Sequence, residues 1–309
     1  MPRGLLGRLA PYLWPLALAN LVANIGIVVT GAAVRLTGSG LGCPTWPRCS
    51  DGSYVPHGEL GLHGAIEFGN RMLTFALAAI AVLCFLAALG AGHRRARRLS
   101  LVIGLGIPLQ AVIGGITVLT DLNPWIVAGH FLLSMAMIMV CVALVDELRS
   151  PDRGAAPPLP RWLAWATLAA GWVVLYLGTV VTGAGPHAGD TESPRNGLDP
   201  ATVSHLHAYA VYVLVALTVA LLVVALRGGH RWLATVTALV LLIEVLQGVL
   251  GWVQYWLDLP AGLVALHVLG AGLLAAGLAR VALAVLPHRA SREARADGQE
   301  QTSAATVLP

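Results

Sequence analysis

Eight apolar runs of bilayer-spanning length fill this sequence, at about residues 12–34, 64–91, 99–120, 124–148, 161–183, 200–227, 232–254 and 261–286. About 20 apolar residues cross the hydrocarbon core as a helix. The chain is 57% hydrophobic and 11% charged, against roughly 25% charged residues in a soluble domain. The fold class expected is therefore an all-α membrane protein with eight transmembrane helices. Arg3 and Arg8 ahead of an apolar stretch resemble a secretory signal, but that stretch continues to Val34. It is read as an uncleaved anchor, because a signal core is shorter.

The breaks between runs alternate in charge. Arg94, Arg95, Arg97 and Arg98 follow the second run, Arg149, Arg153 and Arg161 the fourth, Arg227 and Arg231 the sixth, and Arg289, Arg292 and Arg295 the eighth. The other breaks carry Asp51, Glu59, Asp121, Asp190, Glu192, Asp199 and Asp258. By the positive-inside rule both termini are expected in the cytoplasm and the acidic loops outside. The formal charge of +4 comes from these flanking arginines. No basic run interleaved with aromatics suggests nucleic acid.

The chain also repeats itself. Leu109–His130 reads LQAVIGGITVLTDLNPWIVAGH and Leu246–His267 reads LQGVLGWVQYWLDLPAGLVALH, matching at nine positions at a constant offset of 137. Ungapped self-similarity of this kind marks a duplicated unit. Two pseudo-repeated four-helix bundles are expected, 1–148 and 161–287, joined by a Pro-rich cytoplasmic linker at 149–160 and followed by a disordered tail at 288–309. Asn123-Pro124 and Asp258-Leu259-Pro260 are expected to cap the fourth and eighth helices.

The offset of 137 also pairs Asn70 with His207, so each half offers two polar residues sixty positions apart: Asn70 with His130, and His207 with His267. All four lie about 10 Å inside an outer helix end at 1.5 Å per residue. Two imidazoles at one depth on facing helices can clamp a heme iron from both sides. A zinc site would want more donors, with Cys or carboxylate among them. His205, two residues from His207, faces the opposite way on a helix and pairs by offset with Phe68. The plainer alternative is that these histidines are hydrogen-bonded residues near helix starts.

On the second helix His63, Glu67, Asn70 and Thr74 share a face. Glu67 is either half of a structural pair with Arg71, four residues on, or an acid that handles protons beside a heme. Cys43 and Cys49 share one outer loop and are expected to form a disulfide, either a staple or a redox pair. Cys84 and Cys141 read as small apolar packers. Gln110 and Gln247 read as cross-helix hydrogen-bonders, and Pro108 as a kink. Glu244, in the seventh helix, has no repeat counterpart and no evident partner.

Taken together, TGSGLGCPTWPRC (37–49), IEFGNR (66–71), His130, TGAGPHAGD (182–190), LHAY (206–209) and His267 resemble the heme A synthase family. The resemblance covers roughly residues 12–286. It implies an oxidoreductase that converts the C8 methyl of heme O to a formyl group, giving heme A for aa3-type terminal oxidases. It implies that His207 and His267 hold a resident heme b in the C-terminal half. It further implies that His130 serves the substrate heme in the N-terminal half, that Glu67 is the catalytic carboxylate, and that Cys43 and Cys49 form an extracytoplasmic disulfide. A heme O synthase and the cytochrome oxidase assembly apparatus are the implied partners, in the cell membrane. A homo-oligomer is left open. The family's best-known members carry His where this chain has Asn70. Asn ligates iron poorly, so the substrate heme is expected on His130 with an open axial position, His63 being the weaker candidate for a second ligand. The competing readings are a diheme b-type electron carrier, a membrane thiol/quinone oxidoreductase and a transporter.

Overall fold

In a computed structural model, residues 5–56 and 61–288 are described. Glu59, Arg289, Arg292, Arg295 and all but His288 of the tail expected at 288–309 lie outside them. The described residues are all α-helical apart from connections. A short helix α1 (Leu5–Leu9) and a 3-10 turn (Ala10–Tyr12) lead into α2 (Leu13–Leu36). Then follow α3 (Gly61–Gly90), α4 (Arg94–Leu119), α5 (Pro124–Arg149), α6 (Pro158–Ala184), α7 (Pro200–Arg227), α8 (Arg231–Trp256) and α9 (Ala261–Ala284). Eight of these segments are long and apolar enough to cross a membrane. Large apolar side chains such as Phe75, Leu105 and Trp162 stay exposed along them, as side chains facing lipid must.

Helix contacts close into two rings. Within the first, α2 packs on α3 and α5, and α4 bridges α3 to α5; α6, α7, α8 and α9 repeat the pattern. Helices α2 and α5 of one ring meet α9 of the other, and α5 also meets α6. Each ring has its own apolar core, and a third core of Val28, Met135, Ile138, Leu175 and Ala275 lies where the rings meet.

The offset of 137 reappears in the backbone. Adding it to the bounds of α4 gives those of α8. Asp121 and Leu122 both have positive φ (50° and 59°), as do Asp258 and Leu259 (57° and 59°). Non-glycine residues pay roughly 1–2 kcal/mol each for that conformation, so both turns must be over-determined by their surroundings. The amide of Leu122 donates to Thr117 O at 2.8 Å, and that of Leu259 to Gln254 O at 2.8 Å. This six-to-one bond is the Schellman closure of a helix C-terminus. Asp258 therefore ends α8 rather than capping α9, whose N-cap is Pro260 with no side-chain hydrogen bond. Asn123 does cap α5, accepting the Trp125 amide at 3.0 Å.

The connection between halves is more ordered than a linker. Its last three residues, Pro158-Leu159-Pro160, form the first turn of α6, where proline lacks no needed N–H. Arg153 and His288 exchange backbone hydrogen bonds, and Ala156 N–H donates to Val285 O, so His288 belongs to this bridge and not to a disordered tail. Asp146 anchors the same end. It accepts from Arg153 Nη2 at 2.9 Å and Ser150 Oγ at 2.5 Å, and it pairs with Arg280 of α9. Burial lowers the pKa of Arg153. Helix α4 runs unbroken through Pro108.

Candidate functional site

At the end opposite the arginine clusters, two loops and two turns pack into one layer. Gly40 N–H donates to Gly189 O at 2.9 Å, joining the loop after α2 to the loop after α6. Leu122 fills the space beside both glycines, leaving no room for a Cβ at Gly40. Arg35 binds the carbonyls of His187 and of Thr182, the latter at 3.0 Å. His187 Nε2 in turn lies 2.8 Å from Leu259 O. The layer therefore ties the two rings together above their interiors.

Cys43 and Cys49 are joined by a disulfide. Their loop sits on α3 so closely that a Cβ at Gly42 would lie 2.3 Å from His63 O. Glu67 and Arg71 form the clamp beneath it. Glu67 Oε2 accepts the Cys43 amide at 2.6 Å, and Oε1 accepts from Arg71 Nε and Nη2 at 3.1 and 2.5 Å. Arg71 donates onward to the carbonyls of Cys43, Thr45 and Arg48. Trp46 from the same loop lies flat on Gly115 of α4. Both readings of Glu67 thus begin from one geometry: a buried carboxylate paired with Arg71 and holding the disulfide loop.

His63 is exposed, and its Nδ1 lies 2.9 Å from Ser39 Oγ. It ties the loop to α3. His205 is exposed too, with Nδ1 2.7 Å from Ala201 O and its ring edge-on to Tyr255. His130, His207 and His267 differ. Each is half-buried with a buried Nδ1; among the described residues those of His130 and His267 have no hydrogen-bond partner, and His207 faces the Val174 carbonyl. An orphaned buried polar group of this kind costs about 1–3 kcal/mol. His207 and His267 are also close enough to feel each other's charge.

A glycine faces each of the four repeat-related side chains from the preceding helix. A Cβ on Gly114 of α4 would lie 3.3 Å from His130 Cε1, one on Gly178 of α6 3.3 Å from His207 Cε1, and one on Gly251 of α8 3.6 Å from His267 Cε1. Asn70 follows suit, its Nδ2 4.0 Å from the same point on Gly31 of α2. The missing Cβ atoms let each ring lie edge-on against a helix backbone. Asn70 is further held by Thr30, whose hydroxyl donates to Oδ1 at 2.7 Å. Sequence reading picked the four side chains but not the glycines that receive them. Gly114 and Gly251 were visible as a repeated pair, yet only the packing shows what they face.

From their helix starts His130 and His267 are six residues in, His207 seven and Asn70 nine. At 1.5 Å per residue that is about 9–14 Å. The two rings thus each set buried imidazole donors below the loop layer, and imidazole is a ligand that heme iron accepts. The sequence matches the COX15-CtaA family, described as cytochrome oxidase assembly protein, over residues 15–194, more than half of the chain.

The chain belongs to that family.

The region matched by the COX15-CtaA model holds the disulfide loop, Glu67, Asn70 and His130, and ends before His207 and His267. Similarity to curated relatives runs further. The chain is 27% identical over 321 residues to a heme A synthase of Bradyrhizobium sp. (strain ORS 278), covering 82% of this chain and 85% of that protein. It is 32% identical over 179 residues to a heme A synthase of Lysinibacillus sphaericus (55% of this chain, 58% of that protein). It is 29% identical over 168 residues to one of Bacillus pumilus (50% and 53%). The match thus spans just over half the length of the last two relatives.

Proposed function

We propose that this chain is a heme A synthase, oxidising the C8 methyl of heme O to a formyl group in two steps. The first adds an oxygen at the oxidation level of water and releases two electrons and two protons to an external acceptor, giving a hydroxymethyl; the second does the same, giving a hydrated aldehyde that loses water. The observation that carries the reading is the set of three half-buried imidazoles, each set against a glycine of the preceding helix, in a family whose similar members are named for this product. The two rings act as two bundles, 1–148 for the substrate and 161–287 for a resident heme b. Both termini are cytoplasmic and the loop layer is extracytoplasmic.

His207 and His267 would hold heme b, which supplies one-electron redox chemistry when bound. His130 would bind the substrate heme. Asn70, committed to Thr30, leaves the opposite face of that substrate open. Glu67 holds a proton, or steadies positive charge, near the reacting methyl. Arg71 and the Cys43 amide fix its carboxylate, and the disulfide loop excludes water. Expression in a host that makes heme O, followed by pigment extraction and chromatography, tests the proposal. Heme A should appear, and a diheme electron carrier would leave heme O unchanged.

In that assay His130→Ala should reduce heme A below detection, while His63→Ala should keep activity within a few-fold, since His63 loses only its tie to Ser39. A folded His63→Ala protein with no product would refute the open axial position.

The glycine faces give a graded expectation. Alanine at 251 places its Cβ at an ordinary contact distance from His267, whereas alanine at 178 crowds His207 at 3.3 Å. Gly251→Ala should keep its heme b, Gly178→Ala should shift or weaken the reduced-minus-oxidised spectrum, and valine at either position should lose most of it.

A further inference from the structure

At the arginine-rich end the repeat diverges, and a cavity lies where it does. In the first half His93 is the N-cap of α4 and accepts the Ala96 amide at 3.4 Å. Glu147, near the end of α5, lies 3.1 Å from Arg95 Nε and 3.8 Å from His93 Nε2. Adding 137 gives His230, Arg231 and Trp232 for His93, Arg94 and Arg95, and Ala284 for Glu147. His230 is again an N-cap, for α8, but makes no side-chain cap bond. Where the first half keeps its carboxylate, the second has a methyl group.

A cavity of about 280 Å³ opens there, lined by Arg153, His230, Arg231, Trp232 and Ala284. None of the described residues lining it is acidic. Arg153, although paired through Nη2 with Asp146, has a buried Nη1 with no hydrogen-bond partner among the described residues. Asp146 is shared between Arg153 and Arg280, so one carboxylate answers two guanidiniums. The start of α8, with its partial positive charge, faces the same space. Arg280 stacks over Trp232 at 4.8 Å, and Trp232 is 39% exposed. Tryptophan beside arginine at a helix end is the pattern of a membrane–water interface.

We propose that this cavity binds the phosphate of an anionic phospholipid headgroup, held by Arg153 and Arg231. Basic pockets between transmembrane helices recognise such headgroups. The volume suits a headgroup and leaves the acyl chains outside, along the helices. The proposal stands apart from the heme sites, which lie at the other end of the rings.

The test uses the full-length protein in neutral detergent, with phosphatidylglycerol, phosphatidylcholine or inorganic phosphate added and binding read by native mass spectrometry and thermal melting. Phosphatidylglycerol should bind at least tenfold more tightly than phosphatidylcholine. Ala284→Glu rebuilds the first half's carboxylate and should weaken that binding at least tenfold. Arg231→Gln changes an exposed side chain that the fold does not need, and should weaken it several-fold. Equal binding of the two lipids, or wild-type binding by both variants, overturns the proposal. Inorganic phosphate that stabilises as well as phosphatidylglycerol at equal concentration marks a free-anion site and overturns the lipid assignment.

Discussion

His267→Ala, purified from membranes replete with heme, is expected to carry less than a tenth of the wild-type b-type heme per polypeptide, while His205→Ala keeps nearly all of it. The contrast follows from placement. His205 spends its Nδ1 on the Ala201 carbonyl and rests against Tyr255 at the surface. His267 has a buried Nδ1 with no partner, faces Gly251, and lies within electrostatic reach of His207. If His207 and His267 hold the heme as proposed, removing either imidazole should leave it weakly bound. His207→Ala should behave in the same way. Absorbance of the Soret band and a pyridine hemochrome assay on the purified protein measure the effect. If His267→Ala is folded and fully hemylated, the C-terminal ring does not hold heme through these residues.

That expectation could be framed from sequence because the histidines obey an offset, and the offset proved to be a property of the backbone. The same interval relates the bounds of α4 and α8, the left-handed turns at Asp121-Leu122 and Asp258-Leu259, and the glycine-histidine contacts at 114/130 and 251/267. Helix existence was legible because a bilayer leaves the backbone few other ways to satisfy its hydrogen bonds. What sequence left dark is whatever depends on which helix lies beside which. Glu244 is an instance. Its partner is Thr218 of α7, whose hydroxyl donates at 2.8 Å, and no spacing rule connects positions 26 apart on different helices. The Gly40–Gly189 bond and the Asp146 cluster join opposite halves of the chain for the same reason. Gln110 and the two buried thiols were readable because their roles are local to a helix interface. Gln110 bonds Ser134 at 2.6 Å, and Cys84 and Cys141 are fully buried without pairing.

Glu67→Gln should abolish heme A formation, by at least a hundredfold, and leave the b-type heme of the C-terminal half in place. The geometry sets two roles for this carboxylate against each other. As a clamp, it ties Arg71 and the Cys43 amide together under the disulfide loop. As an acid, it moves or holds a proton near the substrate methyl, a contribution worth about 10²–10⁴ in rate. Glutamine keeps an oxygen for the Cys43 amide but removes the charge facing Arg71, whose guanidinium still binds three loop carbonyls. Arg71→Gln separates the roles. It breaks the same ion pair from the other side, and leaving a buried charge without its partner costs about 3–5 kcal/mol. If Glu67 only clamps, the two variants should lose stability and product together, as melting temperature and chromatography would read. If Glu67 handles protons, Glu67→Gln stays inactive in protein that still melts near the wild type. Arg71→Gln then retains measurable turnover at a temperature where it is folded. Reducing the Cys43–Cys49 disulfide loosens the same loop without touching the carboxylate, so activity that survives reduction but not Glu67→Gln places the chemistry on Glu67 rather than on the loop.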